Sequence, residues 1–367
     1  MNILFLANHL NIGGISSYIL TLDRGLKKRG HNCIVASGGG ELLPCLNNEG
    51  ISHILVPTKT KAEISLNVLI SFFKLLPEIK KKNIEIIHAN TRVTQVLSCL
   101  LSRYSGRPFI STCHGFFKKR LTRRVFPCWG RKVIAISEQV KQHLIDDFHV
   151  QVDDIKVIHN GIDTDKFTAY SLQLTAELKQ KIGLNDGPVI GIVARLSEVK
   201  GHIYLIQSMK TVLERFPDAQ LVIVGEGKIK DELARLSREL GIDKNIFFIH
   251  NVMDTKGILS IIDVFVLPSL KEGLGLSLME AMSMGKAVIG SDIGGIKTLI
   301  QHGLNGLLVK PADVRQLAEA ITELIGDSQK RKILGDNARA IIANNFSQGK
   351  MVSETERLYL ECLKEKI

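Results

Sequence analysis

The 367-residue sequence has no apolar run of the roughly 18 residues that a membrane-spanning helix needs. Its opening, MNILFLANHL, lacks the basic segment of a signal peptide, so we expect a first strand and a cytoplasmic protein. The six cysteines form no C-x-x-C pair and have no metal-ligand spacing, which favours a reduced interior and no metal centre. A G-x-G-x-x-G motif is also missing, and its absence disfavours a nicotinamide-dependent dehydrogenase.

Acidic residues are scarce in the first half of the chain. Residues 1–165 contain 22 Lys and Arg but 13 Asp and Glu, whereas residues 166–367 contain 26 and 24. From Arg103 to Lys132 there are nine basic residues and no acidic one. This asymmetry predicts an anionic partner for the first half, such as lipid headgroups, a phosphorylated substrate or nucleic acid.

Short apolar runs alternate with longer segments of helical period along the chain. Near-continuous Val, Ile and Leu are typical of strands that are buried on both faces of a parallel sheet. We expect strands within residues 3–8, 33–37, 53–57, 86–90, 109–114, 133–137, 155–161, 189–196, 221–227, 246–250, 264–269, 287–292 and 306–309. Amphipathic segments such as 229–241 and 314–326 predict helices that cover the sheets, so the fold class is doubly wound α/β.

A polar, strand-poor segment over residues 166–187 interrupts this series, which restarts at Pro188. The chain is also longer than the ~250–300 residues at which a single core stops growing. We therefore predict two Rossmann-like domains, residues 1–165 and 166–345, followed by an amphipathic helix over residues 346–367. Ligands of open α/β sheets bind beyond the carboxyl ends of the strands, so we expect the chemistry in a cleft between the two sheets.

The stretch KEGLGLSLMEAM, residues 271–282, places two carboxylates, Glu272 and Glu280, in an otherwise apolar run. A buried carboxylate is costly unless a partner satisfies it. The stretch follows a predicted strand, and we expect a helix to begin near Leu276 or Ser277. The N–H groups at such a helix start attract a phosphate, and carboxylates accept hydrogen bonds from sugar hydroxyls. The pattern indicates a ligand that is anionic in the middle and hydroxyl-rich at both ends, as a nucleotide sugar is.

Three other features lie at the carboxyl ends of predicted strands. Gly13 and Gly14 precede a helix and would let backbone N–H groups approach an anion, although a plain tight turn explains them equally well. His114 closes the strand FISTCH, either as a structural or as a catalytic side chain. Arg195 and Lys200 share a strand-to-helix loop and can converge on one diphosphate; the alternative is two solvated surface charges.

Residues 272–295, EGLGLSLMEAMSMGKAVIGSDIGG, resemble the signature of family 4 retaining glycosyltransferases of the GT-B fold. In that signature seven residues separate two glutamates, as they do between Glu272 and Glu280. The resemblance covers nearly the whole chain and includes the Gly13-Gly14 loop, His114 and NGID-x-D-x-F at residues 160–167. It implies two domains that face each other across a cleft, with the final helix crossing back to the first domain.

The resemblance also implies a role for each candidate. Glu280 would bind the donor ribose, and Glu272 would bind hydroxyls of the donor sugar. Arg195 and Lys200 would neutralise the leaving diphosphate, and His114 would contact the transferred sugar. The backbone of the donor site is expected at Gly13, Gly14, Gly273, Leu274, Gly275 and Leu276.

The implied reaction moves a hexose-type sugar from a nucleotide diphosphate, UDP slightly more favoured than GDP, to a glycan or lipid-linked acceptor of the cell envelope. The acceptor attacks from the face that the diphosphate leaves, with no side-chain nucleophile, cofactor or metal. Residues 163–165 match the D-x-D metal motif of another fold, but a turn or cap is expected there. The sequence departs from the family pattern at three places. The family often has Gly where this chain has Ala194 and His250, and Pro-Glu where it has Lys297-Thr298. His250 lies near the expected base pocket, so the preferred nucleotide base stays open.

A basic block follows His114 directly. Its cations, interleaved with phenylalanines, are Lys118, Lys119, Arg120, Arg123 and Arg124. Clustered basic and aromatic side chains suit the interface of an anionic membrane, so we expect peripheral contact at the cytoplasmic face. A soluble acidic acceptor is the alternative.

Two other functions fit parts of the sequence. A nucleotide-sugar epimerase or sugar phosphorylase would share the fold, and a requirement for an acceptor, or for free phosphate, distinguishes these activities from sugar transfer. A non-enzymatic anion- or nucleic-acid-binding protein would explain the basic first half. However, the basic residues cluster beside a motif of the expected cleft and no nucleic-acid module is recognisable, so we expect no nucleic-acid partner.

Overall fold

The computed structural model describes residues 1–60, 62–119, 123, 126–167, 170–250, 252 and 254–364. Its contacts divide the chain into two compact units. The first comprises Met1–Gly161 and Gln348–Ile367, and the second comprises Ile162–Ser347. Each unit is built on one parallel sheet, so the predicted fold class, two doubly wound α/β folds, is confirmed.

The sheet of the first unit has seven parallel strands within the described residues. In chain order they are β1 (Asn2–Leu6), β2 (Asn32–Ser37), β3 (Ser52–Leu55), β4 (Ile86–Ala89), β5 (Phe109–Cys113), β6 (Val133–Ala135) and β7 (Ile155–Val157). They lie in the order β3-β2-β1-β4-β5-β6-β7. In β1, Ile3 and Phe5 pack on one face of the sheet while Leu4 and Leu6 pack on the other, so both faces select apolar residues.

Helices cover both faces of this sheet. The described helices between its strands are α1 (Gly14–Lys28), α2 (Leu43–Asn48), α3 (Leu66–Lys81), α4 (Arg92–Ser105) and α5 (Glu138–Phe148). Helix α4 begins with a capping box in which Thr91 Oγ1 accepts from Thr94 N and Thr94 Oγ1 accepts from Thr91 N. Such caps fix where a helix starts, and here the cap places α4 directly after the end of β4.

The sheet of the second unit has six parallel strands among the described residues. They are β8 (Val189–Val193), β9 (Gln220–Val224), β10 (Ile246–Ile249), β11 (Val264–Leu267), β12 (Ala287–Ser291) and β13 (Leu307–Val309), in the order β10-β9-β8-β11-β12-β13. The helices are α6 (Leu172–Ile182), α7 (His202–Arg215), α8 (Lys230–Glu239), α9 (Lys256–Ile261), α10 (Leu276–Ser283), α11 (Ile296–Leu299), α12 (Val314–Gly326) and α13 (Ser328–Asn345).

The last helix, α14 (Gln348–Lys364), belongs to the first unit and packs against α1. Its buried residues, among them Val352 and Tyr359, join the core face that contains Phe5. Gly25 permits the close approach, because a Cβ at this position would lie 2.3 Å from Val352 Cγ2. Residues 365–367 of the predicted helix lie outside the described residues.

Candidate active site

In the second unit, the loops after β8 and β11 bring a lysine and a glutamate together. Lys200 Nζ is ion-paired with Glu272 Oε2, and Ser269 Oγ donates to the same oxygen at 3.4 Å. Gly201 makes this approach possible, since a Cβ there would lie 1.9 Å from the carbonyl oxygen of Pro268. Only 13% of the Glu272 side chain is exposed. Among the described residues these contacts engage Oε2, so Oε1 is left to accept a hydrogen bond from a ligand.

Helix α10 begins at Leu276, after the short turn that follows Glu272, as the sequence predicts. Gly275 has a φ of 97°, in the left-handed region that favours glycine. Gly295, in the loop after β12, supports this turn: its N–H donates to Glu272 O at 3.1 Å, and a Cβ would lie 2.0 Å from Gly273 O. No side chain caps α10, and its first N–H groups have no acceptor inside the helix. This helix start is therefore suited to an anion.

Glu280 lies one turn inside α10 and is partly buried. Thr255, directly before α9, donates from Oγ1 to Glu280 Oε2 at 2.8 Å. Burial raises the pKa of Glu280 to about 7, although the Thr255 hydrogen bond and the charge of Lys166 oppose the shift. Glu272 is held by a cation, whereas Glu280 is held by a hydroxyl group. The two carboxylates are thus suited to different ligand groups rather than to one shared proton.

Arg195 follows β8 and is exposed to solvent. Its loop is fixed by the loop after β9, where a Cβ at Gly225 would lie 2.0 Å from Ala194 O and Leu196 N donates to Glu226 O at 2.9 Å. Within the described residues, no ion pair joins Arg195 to a carboxylate. The structure therefore brings Lys200 to Glu272 but leaves the Arg195 guanidinium available to an external anion.

The departures from the family pattern lie beside these loops. His250 Nδ1 is 3.4 Å from Glu226 Oε1, and both side chains are more than half exposed. Lys297 Nζ is 3.0 Å from Asp292 Oδ1. Neither pair involves Lys200 or Glu272.

In the first unit, His114 stands at the end of β5 and Asn90 at the end of the neighbouring β4. His114 Nε2 lies 3.1 Å from Asn90 Oδ1, while Asn90 Nδ2 donates to the carbonyl oxygens of Leu6 and His88. Asn90 Oδ1 is therefore the acceptor, and His114 Nε2 carries the proton. Burial lowers the pKa of His114 to about 3, so the ring is neutral near pH 7. Its Nδ1 is left as a hydrogen-bond acceptor.

A buried hydrogen-bond chain lies directly beneath His114. His88 Nδ1 is 2.7 Å from Tyr359 Oη, and His88 Nε2 is 2.6 Å from Thr112 Oγ1. Tyr18 Oη lies 3.3 Å from Thr112 Oγ1, and the Tyr18 ring packs edge-on to His114 with centroids 4.7 Å apart. Hydrogen bonds thus connect helix α14 to Tyr18, and the ring of Tyr18 packs against His114. The members of this hydrogen-bond chain come from four distant segments, and the sequence offers no signal that joins them.

We expect Tyr359→Phe to loosen His114 without unfolding the protein. The change leaves His88 Nδ1 buried without its partner, which costs about 1–3 kcal/mol of unfolding free energy. Because His114 rests on the same chain, kcat should fall more than KM rises. Chemical denaturation and steady-state kinetics measure both effects. Tyr104→Phe is the matched control, since Tyr104 is 68% exposed in the same unit. Equal effects of the two changes would contradict the positioning role.

The Gly13-Gly14 loop precedes α1, which begins at Gly14 without a side-chain cap. A Cβ at Gly13 would meet nothing within 4 Å, so one side of the loop is open. Ile12 N donates to Glu41 Oε2 at 3.0 Å, which holds a carboxylate beside the loop. Glu41 was not predicted to lie here, and its charge would repel an anion from this side of the turn.

The cations of the basic block are less available to an anionic partner than the composition of the block suggests. The structure describes Lys118, Lys119 and Arg123, whereas Arg120 and Arg124 lie outside the described residues. Lys119 Nζ is 2.6 Å from Asp147 Oδ1. Arg123 Nε is 3.4 Å from Glu63 Oε1, and its guanidinium lies 4.7 Å from the ring centre of Phe117. Carboxylates of the same unit thus neutralise part of the charge that the sequence predicts for a partner.

The D-x-D segment forms a turn, in which Lys166 N donates to Asp163 O at 3.2 Å. In the described part of the chain, no three His, Cys, Asp or Glu side chains lie close enough to share a metal ion. None of the described helices is long and apolar enough to cross a membrane.

Comparison with known proteins divides the chain between two family models. Glycosyltransferase Family 4 matches residues 12–166, and Glycosyl transferases group 1 matches residues 175–341. The Escherichia coli UDP-Gal:alpha-D-GlcNAc-diphosphoundecaprenol alpha-1,3-galactosyltransferase is 30% identical over 91% of this chain and 89% of its own. The capsular polysaccharide biosynthesis glycosyltransferase CapM of Staphylococcus aureus is 28% identical over 93% of this chain and 92% of its own.

Solved structures resemble the chain along its whole length. A glycosyltransferase from Rickettsia africae has 25% identity and a TM-score of 0.88, covering 99% of both chains. HepE of Anabaena, solved with UDP-glucose, has 24% identity and a TM-score of 0.87 over 98% of this chain and 100% of its own. The two sheets and their loops define a glycosyltransferase of the GT-B class. The chain belongs to glycosyltransferase family 4, and the predicted resemblance is confirmed.

Proposed function

We propose that this glycosyltransferase takes a hexose-type sugar from a nucleotide diphosphate, UDP slightly favoured over GDP, and transfers it with retention of configuration and without a metal or cofactor. The observation that carries the proposal is the order of groups at one edge of the second sheet. Lys200 is paired with Glu272, and the uncapped start of α10 then places N–H groups between Glu272 and Glu280. Arg195 adds a second cation from the same loop as Lys200. A diphosphate with a sugar on each side matches that order of charge.

The cations act on the leaving group. Lys200 and Arg195 donate to the diphosphate together with the first N–H groups of α10, and negative charge builds there as the glycosidic bond breaks. Glu272 holds Lys200 in place before the donor arrives and accepts a sugar hydroxyl through Oε1. These contacts strengthen as the charge develops, so they favour the transition state over the ground state.

His114 contacts the transferred sugar as a neutral hydrogen-bond acceptor. A histidine whose pKa lies at about 3 is a weak base, so it accepts a hydroxyl proton at Nδ1 without removing it. The acceptor hydroxyl attacks the anomeric carbon on the face that the diphosphate leaves. One carbon–oxygen bond forms while the bond to phosphate breaks, and the acceptor proton passes to the leaving phosphate oxygen.

The acceptor class is a lipid-linked or cell-envelope glycan, reached in the cytoplasm or at the cytoplasmic face of the membrane. The names of the relatives support this choice, since the Escherichia coli enzyme acts on a diphosphoundecaprenol-linked sugar and the Staphylococcus aureus enzyme belongs to capsular polysaccharide biosynthesis. HepE in complex with UDP-glucose supports a UDP-sugar donor.

A donor screen tests the proposal. UDP-, GDP- and ADP-sugars are added to the full chain, and thermal shift and slow donor hydrolysis are recorded with and without EDTA. We expect one UDP- or GDP-sugar to stabilise the protein and to be hydrolysed equally in EDTA. If no nucleotide sugar binds or is consumed, the proposed donor is wrong, and loss of hydrolysis in EDTA would contradict the metal-independent reaction.

A further inference from the structure

Helix α3 is apolar on both of its faces. Its inner face, with Val68, Phe72 and Leu75, packs into the core of the first unit. Its outer face continues into Ile64, just before the N-cap residue Ser65, and into the neighbouring helix α4. The apolar side chains of this surface are 46–74% exposed: Ile64, Leu66, Leu69, Ile70, Phe73 and Tyr104. We call these six residues the α3 face. A surface helix normally turns polar residues to solvent, so a contiguous apolar face of this size indicates an interaction site.

The α3 face is continuous. The ring centroid of Phe72 lies 5.2 Å from that of Phe73 on α3 and 5.2 Å from that of Tyr104 on α4. At the other end, Arg92 donates to Glu63 Oε2 at 3.1 Å and to Phe126 O at 2.5 Å. Phe126 is 58% exposed, so the apolar surface extends to the end of the basic block.

Unpaired cations border the α3 face. Lys74 follows Phe73, while Arg103 and Arg107 flank Tyr104; all three are exposed, and no carboxylate of the described residues lies within ion-pair distance of them.

The nearby acids are already engaged. Glu63 lies 3.1 Å from Arg92 and 3.4 Å from Arg123, and Glu78 lies 3.8 Å from Lys81 and 3.9 Å from Lys82. The border of the face is therefore positive. A second copy of this chain would bring these like charges together, whereas an anionic surface complements them.

We propose that the α3 face docks the first unit on a bilayer that contains anionic phospholipid. The six apolar side chains enter the boundary between headgroups and acyl chains, and Lys74, Arg103 and Arg107 contact the headgroups. This inference deepens the proposed function, because a lipid-linked acceptor is presented at such a surface. The docking itself requires no donor chemistry, so the two can fail separately.

Cosedimentation of the full chain with vesicles tests the docking. The vesicles contain phosphatidylcholine with phosphatidylglycerol, or phosphatidylcholine alone. We expect binding to the anionic vesicles, and a loss of about tenfold or more in the partition coefficient for Ile70→Glu/Phe73→Glu. Leu172→Glu is the matched control, since Leu172 is 91% exposed in the second unit, and it should bind as the wild type does. Donor hydrolysis should persist in both variants.

Insertion of the α3 face into the bilayer is measured separately from binding to the vesicle surface. The chain has a single tryptophan, Trp129, which is 8% exposed, so Phe73→Trp introduces a reporter on the α3 face. We expect brominated acyl chains to quench its fluorescence. Absence of vesicle binding, equal binding of the glutamate variant, or lack of quenching would each overturn the proposal. So would a dimer in sedimentation velocity that the glutamate variant dissociates in the absence of lipid.

Discussion

Lys200→Ala is expected to lower the rate of sugar transfer or donor hydrolysis by about 100- to 1000-fold, the usual loss when one preorganised donor to a developing anion is removed. Lys200 is the cation that Glu272 holds beside the start of α10. Its removal also leaves the Glu272 carboxylate beside the diphosphate without its partner, so donor affinity should fall as well. Steady-state kinetics and calorimetric titration separate the two effects. Lys210→Ala is the matched control, since Lys210 is an exposed lysine on α7 of the same unit.

A double variant identifies the origin of the affinity loss. In Lys200→Ala/Glu272→Gln the Glu272 charge that would repel the diphosphate is gone. Nucleotide affinity should therefore recover, while the rate of sugar transfer should stay low. If Lys200→Ala keeps most of its activity, or Lys210→Ala loses as much, the assignment of Lys200 to the leaving group is wrong.

Glu280→Ala is expected to weaken binding of the nucleotide diphosphate itself, by about tenfold or more, because the variant cannot make the charged hydrogen bond to the ribose that we propose for Glu280. Glu272→Ala should leave nucleotide affinity nearly unchanged and mainly reduce sugar transfer, since the role proposed for Glu272 is to bind the sugar. Titration calorimetry with UDP and GDP measures the first effect and donor turnover the second. The opposite pattern, with Glu272 controlling nucleotide affinity, would contradict the assignment.

The raised pKa of Glu280 gives nucleotide affinity a pH dependence. Because this pKa is about 7, the carboxylate gains a proton as the pH falls through neutrality, and a protonated carboxyl is a weaker acceptor. Affinity should therefore decline between about pH 8 and pH 6, and Glu280→Gln should remove this part of the decline.

The same pKa has a consequence for stability. The folded state binds the Glu280 proton more tightly than the unfolded state, whose ordinary pKa is 4.5. The resulting stability is present below pH 4.5 and is lost as the pH rises through about 7. Glu280→Gln should then be more stable than the wild type at alkaline pH, by no more than about 3 kcal/mol, with little gain in acid. Denaturation across this range measures it, and a pH-independent difference would exclude the shift.

The strands were predictable because strands that are buried on both sheet faces appear in the sequence as near-continuous apolar runs. Predicted runs extend past the strands at their carboxyl ends; the run 189–196, for example, ends as a strand at Val193. The cause is that Leu196, in the loop beyond, is also buried. Helix α6 was not predicted, because none of its residues is buried and residues 166–187 were interpreted as a polar segment between the two strand series.

The arrangement of the candidate site was predictable where one segment carries it. Glu272, the glycine-rich turn and Glu280 lie on a single loop and helix, so their spacing is visible in the sequence. Thr255 and Asn90 were not predicted, because the fold alone brings them to Glu280 and His114 from other segments.

Surface charge and exposure were the least predictable properties. The sequence of the basic block shows its cations but not the carboxylates that pair with them from outside the block. Glu63 pairs with Arg123, and Asp147 pairs with Lys119. Likewise, periodicity cannot show which face of α3 is exposed, because the first turns of this helix carry apolar residues on both faces.

Hydrogen–deuterium exchange with a bound nucleotide diphosphate tests the central claim, that the segments around Glu272 and Glu280 hold the donor. Exchange is measured with and without saturating UDP and GDP, and occupancy is established by calorimetry on the same samples. The account predicts slower exchange in residues 195–201 and 272–280, and loss of this protection in Glu280→Ala at a nucleotide concentration that saturates the wild type. Bound nucleotide that leaves exchange in both segments unchanged would contradict it.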